Sequence, residues 1–172
     1  MKQALSVIRS ATGYSVEVLS GEEEALLGYA GAMQELHLAG GAFLDIGGAS
    51  SEIVTFSDGS PINFASFPIG SLSLYRRCVK KILPGTGSLA RLRHTISETI
   101  DLDAGNTAPQ PLIVVVGGTA RATLRLDADR IHTLIPGLLI LQHVFHLFQA
   151  QQMIVSKYGV RDGYLCEGVL KH

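Results

Sequence analysis

The residues best suited to chemistry lie in the run Phe43-Leu44-Asp45-Ile46-Gly47-Gly48-Ala49-Ser50-Ser51-Glu52-Ile53-Val54. Glycines let a backbone approach a ligand closely and adopt positive φ. Successive amide N–H groups of Gly47, Gly48 and Ala49 can then converge into a concavity that binds an anion, and the hydroxyls of Ser50 and Ser51 add donors. Asp45 would not hold phosphate directly, because two anions repel. It makes sense through a bridging cation such as Mg²⁺, or by holding a water, and Glu52 can take a similar part. The pattern points to phosphate chemistry, and the competing reading is a β-hairpin with a glycine turn and solvated carboxylates. A second segment, Val116-Gly117-Gly118-Thr119-Ala120-Arg121, follows an apolar strand and opens a helix. Free N–H groups and the dipole attract anions there, although a tight strand-to-helix connection is the plainer reading of that segment alone. A third, Gly21-Glu22-Glu23-Glu24-Ala25, sets glutamates at a helix start. The dipole accounts for them, or one is a general base that deprotonates an attacking water.

The elements that must position these residues can be read from periodicity. Tyr14–Leu19 alternates and predicts a strand. Ser20 can cap a helix, with Glu23 completing a capping box. That helix is expected from Glu22 to about Leu38, with Leu26, Leu27, Ala30 and Met33 at helical spacing and Gly40-Gly41 ending it. Ala42–Ile46, Glu52–Phe56 and Ile62–Phe67 read as strands, and Asp58-Gly59 is a strong hairpin turn, giving an antiparallel meander. Helices are expected from Ser71 to about Leu83 and from about Ser88 to Ile100, then a polar loop over Asn106–Pro111. Leu112–Val116 is a continuous apolar strand of the kind buried on both faces. The Gly117 turn should lead into a helix ending near Leu126, and the last third is mostly helical with a turn at Tyr158-Gly159. The order predicts an α/β fold: a mixed sheet with a three-strand meander, covered by helices.

Taken in order, Ser20-Gly21-Glu22-Glu23-Glu24-Ala25, Asp45 to Glu52 and Gly117-Gly118-Thr119 resemble the exopolyphosphatase/guanosine pentaphosphate phosphohydrolase family. Phe67-Pro68-Ile69-Gly70-Ser71, Asp127-Ala128-Asp129-Arg130 and Gly159-Val160-Arg161-Asp162-Gly163 extend the similarity over nearly the whole chain. The resemblance implies an RNase H-like, actin-like ATPase lobe. It implies Glu24 as the base and Asp45 and Glu52 as the acidic pair for Mg²⁺ and water. Gly47, Gly48, Ala49, Ser50 and Ser51 would cradle phosphate, and Gly117, Gly118 and Thr119 would face the same cleft. The implied substrate is inorganic polyphosphate or guanosine pentaphosphate, attacked at its terminal phosphoryl group. Two positions depart from the pattern: Ala49 stands where the family usually has a third glycine, which requires a negative φ, and Ser51 where it has threonine. Family members also begin with a separate lobe carrying Asp-x-Gly-x-Asn-Ser. Residues 1–38 are therefore expected to be the last strand and connecting helix of a truncated first lobe, and residues 39–172 the second lobe. Several dozen residues that relatives carry between Leu126 and Asp127 are absent. The alternative of a different class is a phosphate- or nucleotide-binding module without turnover.

Composition agrees with one domain in a chain of 172 residues, 47% apolar and only 17% charged. So little charge suggests a surface covered by another partner, such as a first lobe or the second subunit of a homodimer. A net charge of −1 excludes attachment to nucleic acid by bulk electrostatics. The apolar stretch Ile131–Phe148 contains Pro136, Gln142 and His132, His143 and His146, and falls short of a membrane span. It reads as a buried helix, its histidines at a helical interface rather than on a metal. The run Arg76-Arg77-Cys78-Val79-Lys80-Lys81 reads as a solvated helix face, or as a track for polyphosphate. Cys78 and Cys166 fit no metal or redox spacing and suit a reducing cytoplasm.

Overall fold

The structure is a computed structural model that describes residues 2–81, 83–102, 108–119 and 131–169. Its centre is a sheet of five strands: β1 (Gly40–Ile46), β2 (Ser51–Ser57), β3 (Ser60–Phe67), β4 (Leu112–Val116) and β5 (Gln152–Val155), in the order β3-β2-β1-β4-β5. β1, β2 and β3 form the antiparallel meander expected from the sequence, while β4 runs parallel to β1 and β5 parallel to β4. The β2–β3 turn places Asp58 at φ 51° and Gly59 at φ 71°. That left-handed pair matches the twist of the flanking strands and is why aspartate and glycine stand there.

Strand alternation sorts the apolar side chains into two layers. Ala42, Leu44, Ile46, Ile53, Ile113 and Val115 face one side. They are covered there by α3 (Ser71–Cys78), α4 (Thr86–Thr99) and α5 (Ile131–Leu147). Phe43, Val54, Phe56, Val114 and Val116 face the other side, under α2 (Gly21–Ala32), and α6 (Val160–Tyr164) packs against α2. Burial on both faces explains the near-continuous apolar run of β4. Tyr29 of α2 packs on Phe43 and Phe56, ring centroids 6.2 and 5.3 Å away. Its hydroxyl is buried without a hydrogen-bond partner among the described residues, at a cost on the order of 1–3 kcal/mol.

Several elements differ from expectation. Tyr14–Leu19 pairs with no strand among the described residues, and Tyr14 and Val18 are 77% and 50% exposed. Alternation makes a strand only where a neighbouring edge supplies hydrogen bonds, and the sheet ends at β3 and β5. A helix that the periodicity did not mark, α1 (Lys2–Thr12), precedes that segment. α2 stops at Ala32 rather than Leu38, because Met33, Leu36 and Leu38 all pack on the Tyr29 cluster. In a continuing helix Leu36 and Leu38 would lie roughly 200° apart and could not share one face. The buried face of α2 is Ala25, Gly28, Tyr29 and Ala32, not the leucines. α3 ends at Cys78 instead of Leu83, since Cys78 and Val79 turn into the core while Arg76, Arg77, Lys80 and Lys81 stay exposed. α5 is buried on one face only, with Ile140 and Val144 buried and Leu138, Gln142 and His146 exposed. Of the two free cysteines, Cys78 is buried and Cys166 half-buried. The expected helix to Leu126 and the Asp127–Arg130 motif lie outside the described residues, as does the start of the Asn106–Pro111 loop. Among the described residues no helix is long and apolar enough to cross a membrane.

Candidate functional site

Asp45, last but one in β1, pairs directly with Glu52 on β2, so both carboxylates project on the α2 side of the sheet. Glu52 in turn pairs with Ser66 on β3, whose Oγ donates to Glu52 Oε1 at 3.0 Å. Helix α2 begins directly above, where a Cβ on Gly21 would lie 2.6 Å from Ser66 Cβ. Only glycine lets the helix start this close to the sheet. Ser20 and Glu23 form the expected capping box: Ser20 N donates to Glu23 Oε2 at 2.7 Å and Glu23 N to Ser20 Oγ at 3.2 Å. Those bonds, the one to the Ser20 backbone first, hold the Glu23 carboxyl below its ordinary pKa. Glu22 is exposed, while Glu24 is half-buried and its charge reaches Glu52.

Glu52 is 1% exposed, and burial is the main cause that pushes its pKa up from 4.5 to about 7. Ser50 and Ser66 oppose the rise by bonding the anion, and the charges of Glu24 and Asp45 add to it. The folded state therefore holds this proton more tightly than the unfolded chain, and stability falls as pH rises from 4.5 to about 7. A rise of that size corresponds to about 3 kcal/mol once Glu52 is ionised. Glu52→Gln should match wild type near pH 4.5 and exceed it by up to about 3 kcal/mol at pH 8 in urea titrations of the ligand-free protein. Equal stabilities at both pH values would mean that Glu52 is not held as a buried acid.

The loop between the carboxylates is pinned from behind by the start of α3. Ser71 N and Oγ donate to Gly47 O at 3.0 and 3.1 Å. Leu72 N and Ser73 N donate to Gly48 O at 3.0 and 2.9 Å, and Ser73 Oγ donates to Ala49 O at 3.3 Å. No peptide bond among the described residues is cis. In a trans peptide the N–H points opposite to the preceding C=O. The amides of Gly48, Ala49 and Ser50 therefore point together, away from α3. Gly70 permits the fit, because a Cβ there would lie 2.6 Å from Gly48 C and 2.7 Å from Ala49 N. Positive φ is not what this loop needs. Among the described glycines only Gly13, Gly41, Gly59 and Gly117 adopt it, and Ala49 has the negative φ it requires.

β4 brings Val116 beside Asp45, and the chain then turns through Gly117 at φ 96°. A Cβ on Gly117 would meet Asp45 Oδ1 and Ile46 O, both at 2.7 Å. A cleft of about 410 Å³ opens at these strand ends, lined by Asp45, Gly47, Gly48, Gly117, Gly118 and Thr119, with Ser71, His132 and Thr133. The carboxyl ends of strands at a change of direction are where α/β sheets bind ligands. Glu24 and Glu52 lie on the α2 side of Asp45 and do not line this cleft. Ser50 turns its hydroxyl to Glu52. Ser51 is drawn elsewhere: its buried Oγ donates to Ile69 O at 2.7 Å. The three histidines do not gather at this cleft. His132 meets Tyr75 edge-on, ring centroids 4.9 Å apart, His143 Nε2 lies 3.0 Å from Ile100 O, and His143 and His146 line a separate groove with His94. Among the described residues no three or more His, Cys, Asp or Glu are grouped to hold a metal by themselves. Sequence reasoning missed the roles of Gly70, Ser71 and Ser73, and also Lys157 and Arg161, which line a cavity adjoining Asp45 and Gly117.

The chain matches the model of the Ppx/GppA phosphatase family over residues 2–124 and 119–172. It is 33% identical over 118 residues to exopolyphosphatase 2 of Mycobacterium tuberculosis, covering 67% of this chain and 36% of that protein. A putative exopolyphosphatase of Haemophilus influenzae is 26% identical, the match covering 91% of this chain and 59% of the relative. The chain thus spans well under two thirds of these relatives. The Haemophilus match extends over 198 residues, more than the 172 of this chain, so that relative carries residues inside the matched span that are absent here. An exopolyphosphatase from Cytophaga hutchinsonii superposes with a TM-score of 0.86 at 17% identity, covering 99% of this chain and 70% of that one. The Ppx/GppA family member from Aquifex aeolicus gives 0.81 at 21% identity, covering 99% and 69%. The five-stranded mixed sheet with its flanking helices has the actin-like ATPase fold of those proteins. With the family match running through every element that builds the cleft, this chain belongs to the Ppx/GppA phosphatase family.

Proposed function

We propose that this chain forms one wall of a site that hydrolyses the terminal phosphoanhydride bond of inorganic polyphosphate or guanosine pentaphosphate. The observation that carries the reading is the set of three loop carbonyls, Gly47, Gly48 and Ala49, tied to the start of α3. It fixes three successive amides in one direction before any ligand arrives, so no reorganisation is needed to meet phosphoryl oxygens. Glu24 would take the proton from the attacking water. Asp45 and Glu52 supply hard oxygen donors, and two carboxylates completed by substrate phosphates and water are the donor set Mg²⁺ prefers. Bound there, Mg²⁺ would neutralise charge on the transferred group. Gly117, Gly118 and Thr119 would bound the cleft from the β4 side. The facing wall would come from a first lobe, and a reducing cytoplasm suits both substrates and two free cysteines.

Proline at position 49 removes one of the three amides while keeping the negative φ that Ala49 already has. Titrated calorimetrically with tripolyphosphate and Mg²⁺, Ala49→Pro should bind about tenfold more weakly than wild type, the loss expected for one charge-assisted hydrogen bond. Unchanged affinity would remove the loop from the binding site. Release of phosphate from either substrate with Mg²⁺, abolished by chelation, tests the hydrolytic step directly.

A further inference from the structure

A second cavity, of about 180 Å³, shares Asp45 and Gly117 with the glycine cleft and continues to Lys157, Gly159 and Arg161. The larger cleft has neither lysine nor arginine in its lining. The positive charge of this end of the sheet is thus concentrated, among the described residues, in the smaller cavity. Arg161 has no ion pair or side-chain hydrogen bond with any described residue. Lys157 Nζ sits over the Tyr158 ring, 4.9 Å from its centroid, and Tyr158 OH donates to Glu35 Oε1 at 2.6 Å. Asp162, the other acid beside Asp45, is already engaged, accepting from Gly159 N at 2.8 Å. The two cavities meet at Asp45 and Gly117, and Gly159 lines the smaller one, where the nearest atom to a Cβ on it would be Val116 Cγ2 at 4.0 Å. A guanidinium without a partner among the described residues and an ammonium lining the same small hollow suit an anion, since both recognise phosphate oxygens through charge-assisted bonds.

We propose that Lys157 and Arg161 form a second phosphate subsite, which holds the inner phosphates of the substrate whose terminal group lies against Gly48–Ser50. The inference rests on the hydrolytic-wall reading above and deepens it. The site is built for a run of linked phosphates and favours it over a single one. Orthophosphate occupies the glycine loop alone, whereas a linear oligophosphate spans both cavities across Gly117. Both cations are solvent-exposed, so their contribution weakens with added salt.

The test is calorimetric titration of this chain, with Mg²⁺, against inorganic phosphate and against tripolyphosphate. Wild type should bind tripolyphosphate at least about tenfold more tightly than phosphate, and Lys157→Ala/Arg161→Ala should lose most of that preference while binding phosphate within about twofold of wild type. Arg76→Ala/Arg77→Ala removes the same charge from the exposed face of α3 and should leave both affinities within about twofold. Should the double variant disturb α6, Lys157→Glu alone must weaken tripolyphosphate binding selectively. Equal losses for both ligands, or losses no larger than in Arg76→Ala/Arg77→Ala, overturn the subsite. If Ala49→Pro weakens both ligands while the Lys157/Arg161 variants weaken neither, the subsite alone fails. If Ala49→Pro weakens neither, the underlying loop reading fails with it.

Discussion

Replacing Glu24 by alanine is expected to slow phosphate release from polyphosphate or guanosine pentaphosphate by about 10²- to 10⁴-fold, the range a positioned general base contributes. The choice among the three glutamates follows from what each already does. The Glu23 carboxylate is committed to Ser20, accepting from its backbone N at 2.7 Å and its hydroxyl at 2.8 Å. Moving it would open the cap of α2. Glu22 is exposed at the same turn. Glu24 is the one whose charge is felt at Glu52, where it adds to the rise of that carboxyl's pKa along with Asp45. The charges of Glu24 and Asp45 are thus both felt at Glu52, on the α2 side of the glycine loop. Glu24→Gln keeps the volume and removes the basicity, so it should lose about as much activity as Glu24→Ala. Glu22→Ala should leave turnover within about twofold. Turnover in Glu24→Ala equal to that of wild type would take the base away from this position.

The meander was legible in the sequence because its signals are local. Asp58-Gly59 sets the β2–β3 turn, and the short connection from Gly47 to Ser50 pairs β1 with β2 so that Asp45 meets Glu52. The capping box was legible for the same reason, since Ser20 and Glu23 are three residues apart. What holds the glycine loop was not. The bonds from Ser71 and Ser73 to Gly47 and Ala49 each span 24 residues, and no periodicity links the two segments. Ser51 reads as a ligand donor by its place beside Ser50, yet Ile69 O takes its hydroxyl, a contact 18 residues away. β5 escaped notice because four residues at a half-exposed edge carry too little pattern to separate from a loop. Tyr14–Leu19 shows the opposite failure, a clear alternation with no edge to pair with among the described residues.

A methyl group on Gly163 is expected to cost about 3 kcal/mol or more and to lower the melting temperature by roughly 6–12 °C. α2 and α6 cross with glycine on both sides. A Cβ on Gly163 would run into Leu27 O and lie 3.0 Å from Gly31 N, and one on Gly31 would run into Gly159 O. These neighbours are backbone atoms, so no rotamer change relieves the clash; one helix must move away from the other. Separation would also pull Gly28 from Phe43, where even a Cβ has only 3.0 Å to the ring, and thin the packing above β1. The same α2 carries Glu24 at its start, so the displacement should reach the glycine loop as well as the core. Gly163→Ala should therefore lose phosphate release at temperatures where it is still folded, as a stability defect confined to α6 would not. Gly87→Ala is the contrasting case. It lies in the first turn of α4 with only the Arg91 Nη1 tip near its Cβ, at 3.9 Å, and should be neutral or stabilising by up to about 1 kcal/mol. Thermal unfolding of the two variants side by side separates a helix crossing that requires glycine from a glycine that does not. A melting temperature for Gly163→Ala within 2 °C of wild type would mean that the two helices do not pack at this distance.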